Sequence, residues 1–138
     1  NNITREMKEN LYAGFVFNNS SPMRHQLSKW YISLDDYPYA KFPPYVSAGC
    51  FLLSYDSAKL FYIGSKIIKK FKFDDIYMGI LAYKLNIKPE HIQSVFYYAP
   101  TYFPSLYATD TIASHGFSAE EIINIWNELE YFIKFESS

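Results

Sequence analysis

The chain has 138 residues, with 13 Lys and Arg against 14 Asp and Glu for a formal net charge of −1. This length suits one ordinary domain or a part of a larger one, and the near-neutral balance sets up no broad field for nucleic acid or an anionic membrane, so any anionic ligand must be held locally. Aromatic residues make up 20% of the chain, with Tyr the most frequent, a composition that serves sugar-stacking surfaces and aromatic-rich cores alike.

The single cysteine, Cys50, excludes an internal disulfide. Glycosylation triplets begin at Asn2, Asn18 and Asn19 and lean toward a secretory-pathway protein. No apolar run approaches the ~18 residues that a membrane-crossing helix needs. Without repeats, low-complexity blocks or linkers, residues 1–138 read as one structural unit.

In chain order, "LYAGFVF" alternates loosely and runs into the turn-forming "NNSSP", which predicts a strand over residues 11–17 and then a loop. Residues 33–49, "SLDDYPYAKFPPYVSAG", carry too many prolines and turn formers for regular structure and read as a long loop leading into an apolar strand over 50–54. Residues 55–70 read as a helix with Lys66, Lys69 and Lys70 near its C-terminal end, where cations complement the dipole. A second helix is predicted from about Asp74 to Leu85, with Ile76, Gly79, Ile80 and Tyr83 on a buried face. Residues 92–100 and 109–114 resemble strands, and Ser118 with Glu121 forms a capping box that opens a final helix. Strands alternating with helices make the fold class α/β.

Three places carry candidate chemistry. In "KFDDIYMG", Asp74 and Asp75 start the second helix, where carboxylates favour the first turn by accepting orphan N–H groups and facing the positive dipole end. Tyr77 lines a ligand site on one reading and packs in the core on another, and Gly79 leaves room for a second segment to approach. The "FPPYVSAGC" loop offers Tyr45, Ser47 and Gly49 as a ring, a hydroxyl and close backbone for a sugar, or serves as a rigid crossover. Trp30, with Lys29 beside it, walls the same site or packs inside. His115, between the last predicted strand and the capped helix, is a structural residue or a metal ligand.

The blocks "AGFVFNNSSPMR", "SKWYISLDDYPYAKFPPYVSAGCFLLS", "KFDDIYMGILAYKLNIKP" and "ASHGFSAEEIINIWNEL" resemble, in order and approximate spacing, the C-terminal half of the beta-1,3-galactosyltransferase family. The "FPPY" and "HGFS" versions look closest to its beta-1,3-N-acetylgalactosaminyltransferase branch. The resemblance implies the C-terminal portion of a GT-A type fold, a mixed sheet flanked by helices. It also implies an inverting hexosyltransferase that uses a UDP-sugar (UDP-Gal, UDP-GalNAc or UDP-GlcNAc), with a divalent metal such as Mn2+, to form a beta-1,3 linkage on a glycan acceptor of a glycoprotein or glycolipid.

The family segment Glu-Asp-Val-Tyr-x-Gly makes Asp75 the implied general base and Asp74 its acidic neighbour; the family His matching His115 implies a metal ligand. The resemblance further implies a Golgi type II membrane protein with a lumenal catalytic domain, anchored by an N-terminal segment outside this chain. No Asp-x-Asp occurs here, so the metal-binding, nucleotide-binding half is expected upstream and the chain by itself is expected to be inactive. Where the family shows Cys-Ser-Gly-x-Gly, this chain has Val46, Ser47, Ala48, Gly49 and Cys50, which removes a family disulfide. A non-catalytic carbohydrate-binding module and an inactive relative that supports a partner enzyme remain as alternatives.

Overall fold

The structure is a computed structural model and describes residues 10–136, so the Asn2 triplet lies outside the described residues. Three strands, β1 (Tyr12–Phe17), β2 (Tyr45–Leu53) and β3 (Glu90–His91), form a mixed sheet in the order β2-β1-β3. β1 runs antiparallel to β2 and parallel to β3. Helices α1 (Tyr55–Gly64) and α2 (Asp74–Lys84) follow β2 and β1's other neighbour is reached only after them; α3 (Pro104–Thr109) and α4 (Ala119–Glu136) complete the α/β arrangement.

The predicted first strand is present as β1, but β2 begins at Tyr45, inside the stretch that reads as loop. Its early residues are recruited by pairing: Phe17 stands opposite Tyr45 and Val16 opposite Val46, and the Val46 N–H donates to the Tyr12 hydroxyl at 3.0 Å. That hydroxyl belongs to a Tyr only 1% exposed, whose ionisation burial pushes up to about 12, against the Val46 hydrogen bond that lowers it. The prolines before Tyr45 punctuate the approach but leave the paired N–H groups intact.

The predicted helix over 55–70 stops at Gly64. Ser65 takes the C-cap, its N–H returning to Phe61 and Ile63, and its hydroxyl donates to the Tyr62 carbonyl at 2.7 Å. Glycine followed by serine is poor helix sequence, because one gains backbone entropy on release and the other competes for backbone partners. The predicted strands over 92–100 and 109–114 meet only at a single parallel bridge, Val95 to Ala113. Between them lies α3, with Pro104 in its first turn, a position where the missing N–H costs nothing.

The main core joins Tyr12, Val16 and Val46 of the sheet to Phe61 of α1 and Leu81 and Ala82 of α2; Ile32, Phe42 and Ile76 form a second cluster. On α2 the buried residues are Ile76, Gly79, Leu81 and Ala82, whereas Tyr83, predicted on the buried face, is 73% exposed. The capping box of α4 forms as expected: Ser118 N–H donates to Glu121 Oε2 at 2.7 Å and Glu121 N–H to Ser118 Oγ at 3.3 Å. Among the described residues no helix is long and apolar enough to cross a membrane.

Candidate active site

Asp74 and Asp75 open α2 behind Phe73, an N-cap with no side-chain hydrogen bond. The two carboxylates supply acceptors instead. Asp74 Oδ1 accepts the Asp75 N–H at 3.0 Å, and Asp75 Oδ1 accepts the Ile76 N–H at 2.8 Å. Asp74 is exposed, whereas Asp75 is half-buried. Burial raises the Asp75 pKa above the ordinary aspartate range, the Ile76 N–H opposes that shift, and the Asp74 charge adds to it. A carboxylate held this way is a stronger proton acceptor than one in water.

Gly79, one turn further along α2, lets the start of β2 lie directly on the helix. A β-carbon there would stand 2.4 Å from Tyr45 Cβ and 3.0 Å from the Pro44 carbonyl. This close approach brings Tyr45 near Asp75. Burial raises the Tyr45 pKa, a hydrogen bond with Ser20 lowers it, and the Asp75 charge raises it again.

A cavity of about 510 Å³ gathers Trp30, Tyr45, Ser47, Gly49, Asp75 and His115, all singled out from the sequence. These residues come from the loop after β1, from β2, from the start of α2 and from the segment before α4. Phe17, Phe73 and Tyr97 add aromatic walls that sequence reasoning did not identify. Phe17 lies 5.2 Å from the Tyr45 ring and 4.9 Å from Tyr97, and Trp30 lies 5.2 Å from Phe73. Alternation along β1 marks Phe17 only as a strand residue; its neighbours across the sheet decide that it faces a cavity.

Lys29 carries its Nζ 4.7 Å from the Trp30 ring centroid. Gly49 sits against His115, for a β-carbon at Gly49 would be 3.2 Å from His115 Cβ. Two sequence candidates are not among the lining residues. Asp74 remains outside at the exposed helix end, and the Tyr77 hydroxyl donates to the Ile68 carbonyl at 3.0 Å while its ring packs on the main core. Two residues along a helix are about half a turn apart, which carries Tyr77 to the face opposite Asp75.

Arg24, also missed, acts on the loop rather than in the cavity. Its guanidinium donates to the carbonyls of Ile32, Ser33, Tyr37 and Tyr39. Four carbonyls gathered by one side chain hold the loop that carries Trp30 and Ile32, work that no local sequence pattern announces.

Among the described residues no group of three or more His, Cys, Asp or Glu side chains is placed to hold a metal ion. His115 and Asp75 share the cavity, so this part of the molecule offers an imidazole and a carboxylate but not a full set of ligands. The arrangement combines a half-buried carboxylate, a wall of aromatic faces and a buried serine, Ser47. Chemically, it can stack a sugar ring and accept a proton from one of its hydroxyls.

Residues 1–93 match the family model described as Galactosyltransferase. The chain is 44% identical over 122 residues to beta-1,3-galactosyltransferase brn of Drosophila melanogaster, covering 87% of this chain and 37% of that protein. It is 33% identical over 129 residues to beta-1,3-galactosyltransferase bre-5 of Caenorhabditis elegans, covering 94% and 40%, respectively. Human beta-1,3-galactosyltransferase 5 is 30% identical over 125 residues, with 86% of this chain and 39% of that protein covered. The chain thus spans about two fifths of the length of these relatives.

Proposed function

The chain belongs to the galactosyltransferase family, and from that premise we propose that its cavity is the acceptor side of an inverting beta-1,3-glycosyltransferase site, with Asp75 as general base. The observation that carries this reading is the half-buried carboxylate of raised pKa at the start of α2, in one cavity with Tyr45, Trp30 and His115. The donor is a UDP-hexose; galactose is the sugar in the names of the relatives, and the acceptor is a glycan of a glycoprotein or glycolipid.

A sugar hydroxyl is too weak an acid to ionise before it reacts. Its oxygen attacks the anomeric carbon of the donor while Asp75 takes its proton, the bond from that carbon to the UDP oxygen breaks, and UDP leaves with the bonding pair. Attack from the side opposite the leaving group inverts the anomeric centre. The rings of Trp30 and Tyr45 would orient the acceptor, converting an encounter into an aligned pair. Ser47 would add a hydroxyl contact, and Gly49 lets His115 approach that wall.

A divalent ion such as Mn2+, held in part by His115, would offset the charge of the departing diphosphate. His115 would be one ligand among several, and among the described residues no group of three or more candidate ligands completes the set. The nucleotide half and a Golgi membrane anchor, with the catalytic domain in the lumen, belong to the same proposal.

The test uses an enzyme that contains this chain with the full length of its relatives, assayed for UDP release across a panel of UDP-sugars. Asp75→Asn keeps the size of the side chain and its Ile76 contact but is a poor proton acceptor. It should lower kcat by roughly 10²-fold or more with little change in UDP-sugar affinity. Asp74→Asn should cost much less. Near-normal turnover in Asp75→Asn would remove the assigned base.

A further inference from the structure

A second cavity, of about 480 Å³, lies beside the first and is lined by Lys69, Lys70, Lys72, Lys84 and Asp36. Four lysines and one aspartate therefore line it, in a chain whose overall formal charge is −1. Asp36 is already engaged. It accepts the Ser33 hydroxyl at 2.7 Å, and this bond, with smaller contributions from Lys69 and Lys72, holds its carboxyl below the usual range. Lys72 donates to the Tyr31 carbonyl at 3.1 Å. Lys70 and Lys84 are exposed, and neither side chain has a hydrogen-bond or ion-pair partner among the described residues.

The remaining lining includes Tyr37, Phe71 and Ile80, surfaces suited to the C–H face of a sugar ring. Ile32 lines both this cavity and the one that holds Asp75. Ile32 is 3% exposed and belongs to the second core cluster, so the two cavities share a wall of core residues.

We propose that the lysine-lined cavity binds the acidic substituent, a sulfate or a carboxylate, of a saccharide. The choice of a saccharide rests on the function proposed above; the preference for an anion rests on the lysines alone. Lysine contacts act as mobile point charges, so the preference depends on salt.

The experiment measures binding of the full 138-residue chain to a keratan-type sulfated tetrasaccharide, its desulfated counterpart, inorganic sulfate, and phosphatidylserine-containing vesicles, by calorimetry and co-sedimentation. At low ionic strength the sulfated tetrasaccharide should bind about tenfold or more tightly than the neutral one, a margin expected of charge-assisted contacts. The margin should shrink as salt is raised and disappear in the Lys70→Ser/Lys84→Ser double variant. Asp36→Asn removes the competing carboxylate and should widen it.

Equal affinity for the two tetrasaccharides, or a margin that survives the double lysine variant, would overturn the site. Inorganic sulfate binding as tightly as the sulfated sugar, or vesicle capture without saccharide binding, would overturn the saccharide assignment. The measurement needs no turnover, so a wrong assignment of Asp75 as base leaves its outcome intact, and loss of the sulfate preference leaves the Asp75 assay standing.

Discussion

Asp75 holds two properties that pull against each other. Burial disfavours its charge, so the folded chain binds a proton there more tightly than the unfolded chain does. Stability from this group is therefore greatest in acid and is lost as pH rises from the ordinary aspartate value of 3.8 through the raised folded value. Asp75→Asn should consequently melt at a higher temperature than the parent at neutral pH, with the gap closing in acid, as calorimetry across pH would record. A helix cap alone would show the opposite order, because a depressed carboxylate stabilises the fold once ionised. His115 yields a separate expectation. If His115 is a metal ligand as proposed, His115→Ala in an enzyme with the full length of its relatives should raise the Mn2+ concentration needed for half-maximal activity, with activity partly recovered at high metal, since removing one ligand weakens binding without abolishing it. An unchanged midpoint in that titration would retire His115 as a ligand. At this scale the candidates were readable: paired acids, a lone imidazole and aromatic residues stand out as types. What type could not settle is direction, so Tyr77, two residues from Asp75, packs in the core while Asp75 lines the cavity.

The element that positions the site is α2, and Gly79 is the residue that seats it. With Tyr45 Cβ only 2.4 Å from where a β-carbon would stand, Gly79→Ala must push β2 away or tilt the helix. The expected cost is about 1–3 kcal/mol in urea unfolding, as for other overpacking substitutions, although alanine favours helix. If Gly79→Ala were stabilising, the contact between α2 and β2 would be looser than described. Helix α2 and the opening of α4 were legible because their signals are local: acidic residues at one start, a reciprocal Ser118 and Glu121 box at the other. The start of β2 was not, since prolines read as loop until Phe17 and Val16 pair with Tyr45 and Val46. For the same reason residues 92–100 look like strand by composition but gain only one bridge, as apolar and aromatic side chains favour a sheet only where a partner strand stands beside them.

Across the whole molecule, the aromatic residues divide between packing and the cavity, and stability measurements should separate the groups. Leu81, 2% exposed in the main core, should cost about 2–5 kcal/mol when cut to Ala. Trp30, 52% exposed at the cavity, should cost less than about 1 kcal/mol as Trp30→Ala yet weaken saccharide binding. Urea denaturation of both variants, paired with a binding titration, checks this contrast; a large stability loss for Trp30→Ala would make it a core residue. The α/β class, the start of α2 with its acidic pair, the capped start of α4 and the family can be read from the chain, because these reside in local periodicity, capping chemistry and motif order. That six separated candidates share one cavity, that Tyr77 does not line it, and that Arg24 ties four loop carbonyls together emerges from the folded chain. Those facts depend on which distant segments approach each other, and approach is set by β1 pairing with β2 and by Gly79 admitting Tyr45, neither of which any single stretch of chain encodes.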